Sequence, residues 1–379
     1  MPTQIKLGLL GGGARGRSHL RSAYRVNDQD FLLCENESNY PHHTYHDYAP
    51  TAPEWAEEIS DLEVEVRAVM DPSEATREKA MELCGDHGDV PDQYESLEEF
   101  RADNDCDAVV VASPNDYHAQ QSLALLEDDL NVLAEKPIAT TLPDHDRLID
   151  AADSSSGVYF VGFNLRSSPF YTRLKELLGS GTIGELGMIS CRECRGHFTA
   201  DYSFDAERSG GALLDKNCHD FDLYNWYAQS DPVRVSALGG QHVHTDNTDI
   251  NDYSTLIVEY SNGVAGTLEL CMYAPFGERT RMYELRGSEG ILRAPNERAT
   301  VDLFTRERKD RLSVSTAGGG HGGADVRQMK RFLRSIQGEA EPPATPTDAK
   351  RADAVALAGE RAIEEEAIVE LDSNYNLKD

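Results

Sequence analysis

Asp215 and His219 lie four residues apart in the run GGALLDKNCHDFD, which spans residues 210–222. On an α-helix this spacing places both side chains on one face, so both can point into the same cleft. Histidine ionises near neutral pH, which suits a base that removes the proton of a hydroxyl group. Asp215 can hydrogen-bond a substrate or orient the imidazole. The pair is a candidate acid–base site; a helix cap beside a core histidine is the alternative interpretation.

Lys136 is a second candidate, because it follows the predicted strand Asn131–Ala134 and precedes Pro137. Proline favours an extended backbone at the residue before it, which fixes the direction of the lysine. Doubly wound sheets bind their ligands at the carboxyl ends of the strands. A cation there can stabilise negative charge that develops on a substrate oxygen. The alternative is an ordinary solvated lysine at a strand end.

A glycine-rich turn forms the third group. Gly11, Gly13 and Gly16 follow the apolar run Ile5–Leu10 and open a helical segment. This is the context of a dinucleotide-binding turn: Gly11 permits the turn, Gly13 lets the backbone approach a pyrophosphate, and Gly16 allows close helix packing. The amides and partial positive charge of the helix N-terminus would bind the phosphates.

A carboxylate at the end of the second strand would bind the ribose hydroxyls and repel a 2′-phosphate, which favours NAD over NADP. Two residues compete for this role. Glu35 lies at about the usual distance of some 20 residues from the glycines. Asp71 ends a segment that is more clearly a strand and precedes a segment that is more clearly a helix. We favour Asp71, with residues 30–62 as an insertion, and NADP stays possible.

The elements that must position these residues alternate between apolar strands and helices through residue 137. This order predicts an α/β domain over residues 1–137, a Rossmann fold with a doubly wound parallel sheet. Residues 138–379 mix helices near 143–153, 169–179 and 215–229 with β segments, which predicts an α+β domain whose mostly antiparallel, open-faced sheet carries helices on one face. We expect a second copy to cover the open face, giving a homodimer or homotetramer.

Three motifs bring in a family resemblance: residues 113–118 (SPNDYH), 135–137 (EKP) and 210–222. With the glycine turn, and in this order, they resemble the glucose-fructose oxidoreductase and inositol dehydrogenase (Gfo/Idh/MocA) family over nearly the whole chain. The resemblance implies Lys136, Asp215 and His219 as the catalytic set. It implies further cofactor contacts at Ala14, Arg15, Ser113, Asn115, His118 and Glu135, and a segment that reaches the substrate, starting at Asn164 and Arg166.

One residue departs from the family pattern. Many members carry glycine where this chain has Asn217; asparagine also tolerates a left-handed backbone, so we expect the loop to be retained. Asp222, one turn after His219, is either a partner behind the catalytic pair or an exposed acid.

The leading functional prediction is an NAD(P)-dependent dehydrogenase that acts on a carbinol carbon of a sugar, sugar acid or cyclitol, a small polyhydroxylated substrate. A first alternative is an NAD-dependent glycosidase that uses transient oxidation. A second is a non-catalytic dinucleotide-binding sensor.

Composition limits the partners. The formal net charge is −31 and the pI is about 4.7. A surface with this charge repels nucleic acid and anionic membranes. Acids spread along the chain suggest a protein from a salt-loving source. Seven cysteines without a framework spacing, no signal peptide and no membrane-length apolar run predict reduced thiols and a cytoplasmic protein.

No metal site is predicted. Cys191 and Cys194 form a C-x-x-C inside a predicted strand, where residues three apart point to opposite faces. His42, His43 and His46 lack supporting cysteines, and a substrate-mouth or subunit contact suits their aromatic-rich segment better. His321, in its glycine loop, either closes over the cleft or belongs to a plain connector.

Overall fold

The computed structural model describes residues 3–26, 62–103, 105–197, 200–246, 248–275, 278, 280–295, 300–314 and 323–378. The chain forms two compact units. Among the described residues, the first unit holds 3–167 and 323–347, and the second holds 168–314 and 348–378.

The first unit contains a six-stranded sheet in which every pairing is parallel, in the order β3-β2-β1-β4-β5-β6. Its strands are β1 (Thr3–Leu10), β2 (Leu62–Met70), β3 (Asp92–Tyr94), β4 (Ala108–Val111), β5 (Asn131–Ala134) and β6 (Tyr159–Val161). This is the strand order of a dinucleotide-binding Rossmann sheet, so the predicted fold of this unit is confirmed.

Helices and one short 3₁₀ turn complete the first unit. They are α1 (Ala14–Tyr24), α2 (Glu74–Asp86), α3 (Leu97–Asp103), α4 (Asn115–Glu127), α5 (Leu142–Ser154), the turn Asn164–Ser167 and, from much later in the chain, α9 (Ala324–Ile336). All four residues of β4 are buried, as expected for a central parallel strand with both faces covered.

The predicted domain boundary after residue 137 is too early. α5 and β6 follow that point, and β6 extends the parallel sheet, with Val132 of β5 in register with Tyr159. α9 also belongs to this unit, because Met329 and Phe332 are fully buried in the same core as the strands. The sixth strand extends the sheet, and this helix packs against its core.

The second unit contains a nine-stranded sheet of order β14-β13-β12-β11-β7-β10-β9-β8-β15. Its strands are β7 (Leu186–Cys194), β8 (Pro232–Gly240), β9 (Tyr253–Tyr260), β10 (Ala265–Cys271), β11 (Thr280–Gly287), β12 (Gly290–Pro295), β13 (Thr300–Thr305), β14 (Lys309–Ser313) and β15 (Val369–Glu370). β7 and β10 pair in parallel and the other neighbours are antiparallel, which confirms the predicted, mostly antiparallel sheet.

One face of this sheet is packed and the other is open. Along β9 buried and exposed residues alternate strictly, the pattern of a strand with one solvated face. The helical elements of the unit are α6 (Pro169–Gly179), a 3₁₀ turn (Asp201–Phe204), α7 (Ala206–Ser209), α8 (Ala212–Ala228) and α10 (Pro346–Glu365). α8 lies so close to β10 that a Cβ on Gly266 would approach the Tyr224 ring at 2.7 Å.

Within the described ranges, we find no helix that is both long and apolar enough to cross a membrane.

Candidate active site

Two positions of the turn between β1 and α1 require glycine. Gly11 has φ +94°, and a Cβ there would meet the backbone of Ala112 and Ser113 at 2.6 Å. A Cβ on Gly16 would lie 1.9 Å from the carbonyl oxygen of Gly11. These contacts bring the first turn of α1 against the carboxyl ends of β1 and β4.

The same turn leaves room for a ligand at the helix N-terminus. A Cβ on Gly13 would have no heavy atom within 4 Å among the described residues. Gly13 is the N-cap residue of α1 and has no side chain to cap the first amides, and Ala14 and Arg15 begin the helix. Uncapped amides and the helix dipole suit the pyrophosphate of a dinucleotide, so this end of the unit fits the predicted cofactor.

Asp71 stands beside this turn, directly after β2. One carboxylate oxygen accepts a hydrogen bond from the amide of Gly12 at 2.9 Å, and the other accepts from the amide of Ser73 at 2.9 Å. Its competitor, Glu35, lies outside the described residues. The position of Asp71 supports the ribose contact that the sequence predicts for it, and that contact stays a prediction.

Arg15 is engaged within the first unit. Its guanidinium donates to Glu135 at 2.6 Å and to Asp325 of α9 at 3.0 Å, while His19 contacts the same Glu135 oxygen at 2.6 Å. Burial alone would raise the pKa of Glu135, but Arg15 and His19 outweigh it and hold that pKa well below its usual range. Glu135 is therefore an anion that joins α1 to the end of β5.

His118 joins two of the sequence motifs. Its Nδ1 lies 2.7 Å from the carbonyl oxygen of Pro137, and its Nε2 lies 2.7 Å from that of Ser113. Burial lowers the pKa of His118, although both carbonyl contacts favour the charged ring. The ring is 1% exposed and ties the end of β4 to the residue after Lys136. Asn115, also buried, begins α4.

Lys136 follows β5, at the carboxyl edge of the parallel sheet. Its side chain is half-buried, its amide donates to Glu135 at 3.3 Å, and its bond to Pro137 is cis. This is the position that the sequence predicts for a cation beside a bound ligand.

Asn164 and Arg166, the predicted substrate residues, are buried in the 3₁₀ turn of the first unit. Asn164 donates to Asp325 at 2.7 Å, and Arg166 donates to the carbonyl oxygen of Pro343 at 2.5 Å. Both side chains thus contribute to packing within the unit, and a substrate contact by either one stays a prediction.

In the second unit, α8 carries Asp215 and His219. A turn of two left-handed glycines, Gly210 and Gly211, precedes the helix. Glu360 of α10 accepts a hydrogen bond from the amide of Leu213 at 2.8 Å, at the N-terminus of the helix, and burial raises the pKa of this carboxyl group. Helix spacing puts Asp215 and His219 on one face, as the sequence predicts.

Asp215 is held by two donors that the sequence analysis missed. Lys216 Nζ lies 2.5 Å from its Oδ2, and the Ser203 hydroxyl donates to the same oxygen at 3.2 Å. Asp215 is 3% exposed and His219 is half-buried. The arrangement gives a fixed carboxylate one helical turn from an accessible imidazole, which suits proton removal from a hydroxyl group.

The structure differs from the expectation of a loop at Asn217. It lies inside the continuous helix α8 and has no left-handed backbone, so the expected loop is wrong. Its buried side chain instead donates to Glu193 at 2.7 Å and to Asp220 at 2.8 Å. Asp222 is 1% exposed, so its interpretation as an exposed acid is also wrong.

Metal ligands do not cluster in the part of the chain that the structure describes: no group of three or more His, Cys, Asp or Glu residues could hold an ion there. Cys191 and Cys194 lie in β7 as free, buried thiols, and burial raises both pKa values. His42, His43, His46 and His321 lie outside the described residues.

Comparisons with known proteins agree with this geometry. The family model "Oxidoreductase family, NAD-binding Rossmann fold" matches residues 5–163, and "GFO/IDH/MocA C-terminal domain" matches residues 171–293. The myo-inositol 2-dehydrogenase of Thermotoga maritima is 28% identical over 290 residues, which is 75% of this chain and 85% of that protein.

Two solved structures share the fold. A levoglucosan dehydrogenase in complex with NADH and levoglucosan has a TM-score of 0.79 at 18% identity, covering 97% of this chain and 99% of that one. The scyllo-inositol dehydrogenase of Lactobacillus casei, with bound NAD(H) and scyllo-inositol, has a TM-score of 0.73 at 20% identity, with coverages of 97% and 99%. The glycine turn, the two family models and these relatives make the chain an NAD-dependent oxidoreductase of the GFO/IDH/MocA family.

Proposed function

We propose that the protein oxidises a carbinol carbon of a sugar, sugar acid or cyclitol. The observation that carries this proposal is the pair on α8, a half-buried imidazole one turn from a carboxylate that Lys216 and Ser203 hold in place. The relatives named above act on, or are bound to, polyhydroxylated rings, which supports the same substrate class.

The chemistry divides among three side chains. NAD, when bound, supplies the hydride acceptor. His219 removes the hydroxyl proton, and the nearby carboxylate of Asp215 favours the imidazolium that forms. The ammonium group of Lys136 stabilises the negative charge that develops on the substrate oxygen as the proton leaves and before the hydride has left the carbon.

The decisive test is a screen of inositols, anhydrosugars, hexoses and uronates, each with NAD and with NADP, in molar salt. Net NADH formation with members of one class supports the proposal. Cleavage of aryl glycosides without net NADH would favour the glycosidase instead. If no hydroxylated compound reduces the bound cofactor, the dinucleotide-binding sensor replaces both.

We also propose that the protein assembles as a homodimer or homotetramer through the open face of the nine-stranded sheet. That face exposes three large apolar side chains: Met188 is 42% exposed, Leu238 77% and Ile257 45%. Each lies directly opposite a residue of the neighbouring strand. Apolar side chains on an uncovered sheet face favour association. Light scattering in high salt tests this proposal, and a monomeric mass refutes it.

We propose a salt-rich cytoplasm as the setting of the protein. The net charge of −31 and the free, buried thiols among the described cysteines support this proposal.

A further inference from the structure

The face of α8 opposite to Asp215 and His219 carries a second set of polar residues. Asn217 lies about 160–200° around the helix from both of them, because each residue turns the helix by about 100°. Asn217 and Asp220, three residues apart, share this face and are both fully buried. A helix that packs on a sheet normally buries apolar side chains here, so these two residues need partners.

The partners come from β7 and β11. The Asn217 amide donates to Glu193 at 2.7 Å and to Asp220 at 2.8 Å. Arg281 contacts Glu193 at 2.7 Å and Asp220 at 3.2 Å, and the hydroxyl of Tyr283 donates to Asp220. We call these five residues the α8 clamp.

Strand register makes the clamp possible. Glu193 and Arg281 are directly opposite each other on neighbouring antiparallel strands, and Tyr283 lies two residues farther along β11 on the same face. The clamp therefore joins one helix to two adjacent strands. Its two acidic side chains share one buried guanidinium, whose pKa stays high despite burial because Asp220 and Glu193 favour the cation.

Such a cluster tolerates little movement. Breaking one pair of a buried ion-pair network leaves a charge without compensation, so a rotation or slide of α8 that separated Asp220 from Arg281 would be strongly unfavourable. In some proteins a single buried polar residue fixes the register of a helix. Holding the helix in one orientation is what the polar clamp adds.

We propose that Asn217 is a positioning residue, which together with Arg281 fixes the rotation of α8 and so aims Asp215 and His219. This inference rests on the proposed function, since the aim of the pair matters only if the pair acts on substrate. Asn217 touches no reacting atom in this role; it acts through the helix that carries the pair.

The test compares Asn217→Ala with Asn225→Ala. Asn225 is a matched control, because it is an asparagine on the same helix, 1% exposed, and its side chain accepts a hydrogen bond from Tyr260 at 2.9 Å. For each variant we would measure kcat, KM, the Kd of NADH, the Tm and the hydrogen exchange of peptides from residues 212–220.

We expect Asn217→Ala to lower kcat by about 10–100-fold, the scale of a small misplacement of catalytic groups. The Kd of NADH should stay within about twofold, since the glycine turn lies in the other unit, and exchange in residues 212–220 should rise. Asn225→Ala should lower the Tm by a similar amount while kcat stays within about threefold of the wild type.

Two results would overturn the inference: an Asn217→Ala variant with wild-type kcat and exchange, or equal losses of kcat in the two variants at equal Tm. If Asn217→Ala does not fold, Asn217→Ser, which keeps a polar group at the site, is judged by the same measurements. Failure of the proposed function is distinguishable. A wild type that oxidises no polyol would contradict the proposed function. The hydrogen exchange of residues 212–220 would still show whether the clamp holds the helix.

Discussion

The carboxylate of Asp71 accepts a hydrogen bond from the amide of Gly12 at 2.9 Å, which ties the end of β2 to the glycine turn after β1. In a Rossmann sheet this is where the ribose of a dinucleotide meets the phosphate-binding turn. The negative charge that would accept the ribose hydroxyls thus lies beside the helix end that would bind the phosphates.

Asp71→Asn should change the choice of cofactor. The amide oxygen can still accept the Gly12 bond, but the negative charge that repels a 2′-phosphate is gone. We expect the Kd of NADH to rise about 10-fold, the loss of one charge-assisted hydrogen bond, and the Kd of NADPH to fall or stay constant. Fluorescence titration with NADH and NADPH measures both.

The matched control for this change is Asp105→Asn. Asp105 is an exposed carboxylate that precedes β4, paired with Lys6 at 2.6 Å, at the opposite edge of the same sheet. It should leave both Kd values unchanged. An equal effect of the two substitutions, or parallel weakening of both cofactors by Asp71→Asn, would remove Asp71 from the ribose site.

His219→Ala should abolish the base. We expect kcat to fall about 10²–10⁴-fold, the contribution of general base catalysis, with the Kd of NADH unchanged. The limb of the pH–rate profile that reports the base should disappear as well. His87→Ala, which removes an exposed histidine of the first unit, is the control, and turnover of His219→Ala near the wild-type value would contradict the mechanism.

Lys136→Met tests the electrostatic part of the mechanism. Methionine keeps much of the length of the side chain but removes the charge that stabilises a developing alkoxide, so kcat should fall about 10²–10³-fold. Lys136→Arg keeps the charge and should recover part of that loss. Lys6→Met removes a partly exposed lysine of β1 that pairs with Asp105, and it should have no effect. A change in KM alone for Lys136→Met would mean that the lysine only binds substrate.

The sequence predicted the parallel sheet well because local signals suffice there. β4 is a short, wholly apolar run, β5 is apolar after Asn131, and the glycine turn marks where β1 ends. The helix that carries Asp215 and His219 was predicted within three residues of its start.

Contacts between distant segments could not be predicted in the same way. Asp325 meets Arg15 across 310 residues of sequence, and Glu360 caps α8 from a helix 147 residues beyond Leu213. No periodicity in one segment encodes its partner in another. Lys216, which adjoins Asp215 in sequence, is different: its proximity was visible, and only the direction of its side chain was not.

Salt should stabilise this protein. A net charge of −31 makes the folded state repel itself, and raising the ionic strength from 0.1 to 1 M shortens the screening length from about 10 to about 3 Å. We expect the Tm to rise by several degrees over this range, measured by calorimetry. Potassium chloride and sodium chloride should act alike if screening is the cause, and a flat or falling Tm would contradict a salt-loving origin.

Glu135→Gln should destabilise the first unit in a pH-dependent way. The substitution leaves Arg15 and His19 facing a neutral amide, and loss of one partner of a largely buried ion pair costs about 3 kcal/mol. Because the folded pKa of Glu135 lies below its unfolded value, the stability it contributes is complete above pH of about 4.3. As the pH falls from there through the folded pKa, the carboxylate takes up its proton and the contribution disappears.

The difference in free energy of unfolding between wild type and Glu135→Gln, measured by denaturant titration, should therefore be constant from pH 8 to about pH 5 and shrink below about pH 4. Glu127→Gln, an exposed acid at the end of α4, should show almost no difference at any pH. A difference for Glu135→Gln that persists undiminished into acid would show that packing of the side chain, rather than its charge, stabilises the end of β5.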